Sequence, residues 1–107
     1  MAYQSMTAEA LRERLAQELG ECSAAAQAFF AAIAFTPVKW KQSPWGDESG
    51  GFWAVAAKGD RVLWYNDIEG GFNVSRFVTR GEIPAEEYWC NQDDLCIAIA
   101  RLISELT

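Results

Sequence analysis

The sequence predicts one α+β domain in which two N-terminal helices precede a four-stranded antiparallel meander and a C-terminal helix packs on the sheet. Three observations lead to this prediction. Apolar residues recur at helical spacing near both ends of the chain, the stretch 50–78 alternates apolar runs with Gly/Asp turns, and 107 residues are too few for two separate cores. We therefore expect a single domain over residues 1–107, with residues 1–6 as a loose terminus.

Two helices are predicted before the first strand. Thr7 is a suitable N-cap for the amphipathic segment ALRERLAQELG, which ends at Gly20. Ser23 can cap a second, alanine-rich helix, which ends before Pro37 because a proline disfavours helical angles in the preceding residue. The alternative is one longer helix kinked at Gly20.

Four strands follow, with turns marked by glycine and aspartate. The first covers about residues 37–43, where apolar and polar residues alternate, and the polar stretch Pro44–Gly51 connects it to the second. Lys58-Gly59-Asp60 separates the second and third strands, which suits a hairpin turn. The fourth strand is predicted over Phe72–Thr79, and Arg76 within it suggests a bulge or a strand that leaves the sheet there.

Both faces of the predicted sheet are apolar. With a two-residue turn, odd-numbered residues of the second strand share a face with even-numbered residues of the third. One face then carries Trp53, Val55, Ala57, Val62 and Trp64, and the other carries Phe52, Ala54, Ala56, Leu63 and Tyr65. Such a sheet needs covering on both sides or a partner for one face. A helix or the C-terminal loop is the alternative cover for the second face.

The last quarter of the chain is predicted to contain an irregular segment and a helix. The segment 82–90 carries aromatic residues that we expect under the sheet edge. Asn91 is the predicted N-cap of the final helix, whose apolar stripe includes Leu95, Ile99 and Leu102. Ile97 lies opposite this stripe and is interpreted as a harmless exposed residue.

The net charge of −6 comes wholly from one part of the chain. Between residues 46 and 94 there are ten Asp or Glu residues and four Lys or Arg, and most of these acids fall in predicted turns. Such a surface repels nucleic acids and anionic membranes and attracts a basic partner. The alternative interpretation is that the acids only keep an aromatic-rich domain in solution.

The three cysteines, Cys22, Cys90 and Cys96, have no regular spacing, and the chain contains no histidine. They predict neither a disulfide framework nor a zinc site, which favours a reduced, cytoplasmic setting. The apolar stretch 24–35 is too short to cross a bilayer, and it follows acids where a signal peptide would have basic residues.

Catalysis is not predicted. Without histidine, the common nucleophilic devices and zinc hydrolase sites are absent. The acid pairs at 47/48, 67/69 and 93/94 are candidates for Mg²⁺ or acid–base chemistry, but adjacent acids in turns are more often caps and turn formers. We therefore expect no metal, no cofactor and no enzymatic activity.

The function predicted from the sequence is protein binding through the meander and its acidic turns. Aromatic anchors with a polar rim are typical of interfaces. The predicted partner-binding residues are Trp53, Trp64, Tyr65, Asp67, Glu69, Asp47 and Glu48. An acidic protein of this kind would suit a basic partner, as an immunity or inhibitor protein does. The alternative is a homodimeric domain with a small-molecule pocket between helices and sheet, or one that pairs its apolar sheet faces.

Overall fold

The computed structural model describes residues 6–107, and within them it has the predicted α+β architecture and element order. The helices are α1 (Ala8–Leu19), α2 (Ala24–Ile33) and α3 (Leu95–Glu105), and the strands are β1 (Ala34–Trp40), β2 (Phe52–Lys58), β3 (Arg61–Asn66) and β4 (Gly71–Arg76). The strands form one antiparallel meander in the order β1-β2-β3-β4. The prediction of a loose terminus falls largely on residues 1–5, which lie outside the described part of the chain.

The first two helices begin where their caps were predicted. Thr7 Oγ1 accepts a hydrogen bond from the Ala10 amide at 3.1 Å, and Ser23 Oγ accepts one from the Ala26 amide at 3.1 Å. A turn separates the helices, so the alternative of a single kinked helix is wrong. β1 follows α2 directly and starts three residues earlier than predicted, with Pro37 inside it. Pro37 is tolerated because β1 is an edge strand.

The N-terminus of α3 differs from the prediction. Asn91 does not cap it, since the helix begins at Leu95 and its N-cap residue, Asp94, makes no side-chain capping bond. Glu18 of α1 supplies the acceptor, with its Oε1 2.7 Å from the Leu95 amide nitrogen. Asn91 instead donates its amide to Asn73 Oδ1 on β4. A contact between distant segments has replaced the local cap, which the local pattern around Asn91 did not reveal.

A change of register in β2 alters the predicted faces of the sheet. Ala57 pairs with Val62 as predicted, but the register shifts between Ala54 and Ala56, and beyond the shift Trp53 pairs with Tyr65. The grouping of Trp53 with Trp64 on one face is therefore wrong, because an extra residue in one strand reverses the parity of everything after it. The predicted irregularity near residue 76 is the end of β4 at Arg76.

Each face of the sheet has its own apolar core. The helix side packs Val55, Leu63, Tyr65 and Phe72 against residues such as Leu11, Phe30, Leu95 and Leu102. The opposite side packs Trp40, Phe52, Ala54, Val62 and Trp64 against Phe77, Ile83 and Tyr88. The segment between β4 and α3 therefore covers the second face, as one of the alternatives proposed. It contains a single 3-10 turn at Ala85–Glu87.

A disulfide joins Cys22 and Cys96, whose Cα atoms are 5.4 Å apart. The prediction that the cysteines form no disulfide framework and suit a reduced setting is therefore wrong for this pair. Seventy-four residues separate the pair along the chain, and only the packing of α1, α2 and α3 brings the two side chains together. Cys90 is free and exposed. Among residues 6–107, no helix combines the length and apolar character needed to cross a membrane.

Candidate protein-binding site

An exposed cleft lies at one end of the meander. The β1–β2 connection (41–51) and the β3–β4 turn (67–70) lie at the same end of the sheet, as alternate connections of a meander must. Together they form a cleft of about 350 Å³ lined by Pro44, Trp45, Glu48 and Ile68, which we call the Trp45 cleft. The fold thus joins two acidic segments that lie some twenty residues apart in the sequence.

Trp45 has an exposed aromatic ring that is connected to buried rings through Tyr88. Its side chain is 57% exposed, yet its ring stacks on Tyr88 with centroids 5.7 Å apart and planes at 26°. Tyr88 in turn contacts Phe52 at 5.8 Å and Trp64 at 5.9 Å, and both of those rings are fully buried. The Trp45 ring is therefore held in place by the apolar core on the side of the sheet opposite the helices.

Hydrogen bonds within the β1–β2 connection fix its shape. Gln42 is buried, and its Oε1 and its backbone carbonyl both accept from the Gly46 amide, at 3.0 and 3.1 Å. The Gly46 carbonyl accepts from the Gly51 amide at 2.7 Å. Ser43 Oγ donates to Asp47 Oδ1 at 2.6 Å. The loop that carries Trp45 is therefore organised before any partner binds, which lowers the entropy lost on binding.

Asn66, at the end of β3, connects the β3–β4 turn, which forms one wall of the cleft, to Tyr88, on which Trp45 stacks. Its Oδ1 accepts from the Ile68 and Glu69 amides at 3.1 and 3.2 Å. Its Nδ2 donates to the Tyr88 hydroxyl and to the Trp89 carbonyl, each at 3.0 Å. Sequence reasoning missed this buried residue, although an Asn at the start of a turn is the available signal, since its side chain commonly bonds the following amides.

Acidic residues outnumber basic ones in the two loops that form the cleft. Burial raises the pKa of Tyr88 above its ordinary value, and the carboxylate of Glu69 adds to this rise, whereas the hydrogen bond with Asn66 opposes it. Glu48 lines the cleft and is exposed, as is Asp47 beside it. A positively charged group approaching Trp45 would therefore meet several carboxylates from the two loops.

Four of the predicted partner-binding residues belong to the loops that form the cleft. One of them, Asp67, is bonded to Met6, which leaves Asp47, Glu48 and Glu69. Glu48 is a lining residue, while Asp47 and Glu69 lie beside lining residues in the chain. Trp45, Ile68 and Tyr88, which complete the site, were absent from the predicted set. The signal for Trp45 was its place in a polar loop, where a large apolar ring has no strand or helix to pack it.

The other four predicted residues have structural contacts. Trp64 is fully buried and donates its indole N–H to Ser75 Oγ at 2.8 Å. Tyr65 is 2% exposed and accepts from Arg14 at 2.8 Å. Half-buried Trp53 donates to the Met6 carbonyl at 2.7 Å, and Asp67 Oδ2 accepts from the Met6 amide at 2.8 Å.

The side chain of Lys39 interacts with both Trp53 and Asp67. Its Nζ is 5.1 Å from the centre of the Trp53 ring. Burial lowers the pKa of Lys39, and the carboxylate of Asp67 partly offsets this effect. Trp53 and Asp67 are thus engaged with Met6 and Lys39 on the helix side of the sheet, away from the Trp45 cleft.

Larger clefts lie elsewhere on the described surface. One, of about 480 Å³, is bordered by residues 41–43 and 78–86. Another, of about 450 Å³, lies along α1. A third, of about 550 Å³, lies between α3 and the edge of the sheet, where Arg61 pairs with Glu105 at 2.8 Å. Ion-paired side chains therefore dominate its wall. In the described part of the chain, no group of three or more His, Cys, Asp or Glu residues is arranged to hold a metal ion.

Comparison with protein-family models, with curated proteins and with solved structures gives no match for this chain. The interpretation of the cleft therefore depends on its own geometry and charge.

Proposed function

We propose that this protein is a non-catalytic protein-binding module that binds a basic partner through the Trp45 cleft. The observation that supports this most directly is the state of Trp45, which is more than half exposed and yet stacked on a ring anchored in the core. Tryptophan in a preorganised, partly enclosed position is the residue type that most often dominates interface energetics.

Charge supports a basic partner over a neutral one. The net charge is −6, and the loops around the cleft contribute the carboxylates of Asp47, Glu48 and Glu69. Carboxylates at the rim of an interface mainly steer encounter and select the partner, while the apolar centre supplies affinity. An immunity or inhibitor protein that neutralises a basic protein fits this division of roles. Nucleic acids and anionic membranes lie outside the proposed partner class, since the same carboxylates repel phosphate.

The proposed compartment changes from the sequence prediction. The cytoplasmic setting was inferred from cysteines that formed no framework, and the Cys22–Cys96 disulfide removes that argument. Because disulfides persist mainly in oxidising surroundings, we propose that the module works in such a compartment.

A test of the function uses charge reversal at the cleft. Binding of short random peptides displayed on phage should select sequences with net positive charge, and the double variant Glu48→Lys/Glu69→Lys should weaken their binding about tenfold, since like charges then face each other. The matched control is Glu13→Lys/Glu21→Lys on and after α1, which changes the net charge equally. Selected peptides that are neutral or acidic, or equal losses in the two double variants, would contradict the proposal.

Salt provides a second check on the same complexes. Attraction between exposed charges is screened over about 10 Å at 0.1 M salt, so binding should weaken as salt rises. Salt-independent binding of the selected peptides would be inconsistent with charge selection.

The homodimer alternative has less support. Both sheet faces are covered by the same chain, so neither is free to pair with a second copy. The space between the helices and the central strands is filled by one apolar cluster. A dimer through another surface stays a prediction, and sedimentation at micromolar concentration would detect it by a doubled mass.

A further inference from the structure

We infer that the Trp45 cleft binds a single arginine side chain of the partner. This inference rests on the proposed function and names the group that the site recognises.

The composition of the cleft matches a long side chain with a cationic end. Pro44, Trp45 and Ile68 supply apolar walls, and Glu48 supplies one carboxylate. A volume of about 350 Å³ is at the lower limit for small-molecule sites and has room for one large side chain. Arginine and lysine both have an apolar stem and a charged head, so the stem can contact the walls while the head reaches the carboxylate.

The same molecule already places its own cations over aromatic rings, and at Arg14 a carboxylate completes the arrangement. Arg14 lies over the ring of Tyr65, 5.1 Å from its centre, and its Nε donates to Glu18 at 2.6 Å. Arg80 lies 5.4 Å from the ring centre of Phe35 and 5.8 Å from that of Trp40. An aromatic ring with a nearby carboxylate therefore receives a guanidinium from within the chain at α1.

The Trp45 cleft combines a ring and a carboxylate with no cation among its lining residues. Trp45 and Glu48 correspond in chemistry to Tyr65 and Glu18, but no Lys or Arg lines this cleft. Trp45 is also more exposed than Tyr65, at 57% against 2%. The missing component is a cation, and it must come from another molecule.

Arginine fits better than lysine. A guanidinium is planar, so it can stack on the indole while its fork of N–H donors meets the carboxylate of Glu48. Lysine presents a compact, strongly hydrated charge that gains less from an aromatic surface. The other cationic occupants, a lysine or a segment of a second copy, are outcomes of the test.

The test compares two capped tripeptides, Gly-Arg-Gly and Gly-Lys-Gly. Titration of the isotope-labelled protein should shift the Trp45 indole N–H resonance saturably, with the arginine peptide binding about threefold more tightly, the scale of an exposed cation–π contact. Glu48→Gln should strongly weaken binding measured in this way. Trp45→Ala lacks this resonance, and it should abolish the peptide-dependent shift of the Glu48 backbone amide. Both residues are exposed, so the fold should persist, and the unchanged backbone spectrum of each variant would establish this.

Trp89→Ala is the matched control, because Trp89 is 42% exposed but does not line the Trp45 cleft. Its peptide affinity should equal that of the unaltered protein. Equal affinities for the two peptides, or an equal loss in Trp89→Ala, would overturn the arginine assignment. So would concentration-dependent self-association that Trp45→Ala removes, since the cleft would then belong to a second copy.

Failure of this inference differs from failure of the proposed function. If displayed basic peptides bind and Glu48→Lys/Glu69→Lys weakens them, while the arginine tripeptide leaves Trp45 unaffected, then the partner is basic but the cleft does not take its arginine. If no basic peptide binds in either experiment, the proposed function itself is wrong.

Discussion

Asn66 joins the β3–β4 turn of the candidate site to the segment that carries Tyr88 through four hydrogen bonds. Two of them fix the turn that carries Ile68, and two hold Tyr88 and the backbone of Trp89. Since Tyr88 supports the ring of Trp45, the position of an exposed residue depends on a buried amide. A buried polar group of this kind is costly unless satisfied, and all of its donors and acceptors have partners here.

Tyr88 should make stability fall at high pH. Burial raises its pKa in the folded protein, so the unfolded chain releases this proton first, at a pH of about 10. The stability that depends on the neutral phenol is complete below that pH and is lost as pH rises through the higher folded pKa.

Urea unfolding at several pH values between about 8 and 11 would measure this loss. In Tyr88→Phe the fall should be shallower, and the difference between the two curves isolates Tyr88 from Tyr65 and Lys39. Parallel curves for the two proteins would contradict the assignment.

At this scale, sequence reasoning identified the acids of the cleft but not its centre. Asp47, Glu48 and Glu69 could be predicted because turns and charge can be seen locally. The importance of Trp45 depends on Tyr88, which is more than forty residues away, and on Asn66, which donates a hydrogen bond to the Tyr88 hydroxyl. No local pattern carries the information that Tyr88 contacts both of these side chains.

The helices and strands were predictable because their signals are local, whereas the irregularities between them were not. The element order could be predicted from the caps at Thr7 and Ser23 and from the runs of aromatic and aliphatic residues that form the strands. The shift between Ala54 and Ala56 depends on how β2 pairs with β3, and nothing in the β2 sequence marks it. One extra residue there was enough to place Trp53 and Trp64 on opposite faces.

The start of α3 should depend on a residue of α1. Glu18 accepts from the Leu95 amide and also pairs with Arg14 at 2.6 Å, and its side chain is only 15% exposed. Glu18→Ala should lower the free energy of unfolding by about 1–2 kcal/mol, because a capping bond and a favourable charge at the helix N-terminus are both lost. Chemical denaturation would measure the change.

Glu21→Ala is the control, since Glu21 is exposed in the turn after α1 and carries the same charge. It should change stability by no more than about 0.5 kcal/mol. Similar effects of the two variants would show that Glu18 acts through net charge alone.

The whole molecule is held by a covalent link across its helical layer. Cys22 follows α1 and Cys96 lies in the first turn of α3, so the disulfide closes a loop containing the entire sheet. In the chain-entropy model a loop of this length stabilises the folded state by about 4 kcal/mol.

Cys22→Ser should therefore lose about 4 kcal/mol of stability, as measured by urea unfolding. Reducing agent should destabilise the unaltered protein similarly and leave Cys22→Ser unchanged. Cys90→Ser should behave as the unaltered protein, because Cys90 is free and exposed. Equal stability of the unaltered protein, Cys22→Ser and Cys90→Ser under oxidising conditions would mean that the Cys22–Cys96 disulfide does not form in solution.

At the scale of the molecule, the sequence predicted that both apolar faces of the sheet must be covered, but it did not decide which segment covers the face opposite the helices. The choice between a helix, the C-terminal loop and a partner depends on the path of residues 77–88, which contain few regular signals. The disulfide was missed for a related reason, since Cys22 and Cys96 become neighbours only after the three helices pack.

The position in the chain of the segment that covers the face opposite the helices has a consequence for biosynthesis. Residues 82–105, which supply Ile83, Tyr88 and α3, follow all four strands along the chain and close both faces of the sheet. While the ribosome is still making this segment, the face of the sheet opposite the helices is uncovered and the other face is covered only by α1 and α2, so the finished strands are exposed to aggregation. Slow translation within residues 77–95 would therefore prolong the most vulnerable stage, and a chaperone that binds aromatic segments would matter most at that point.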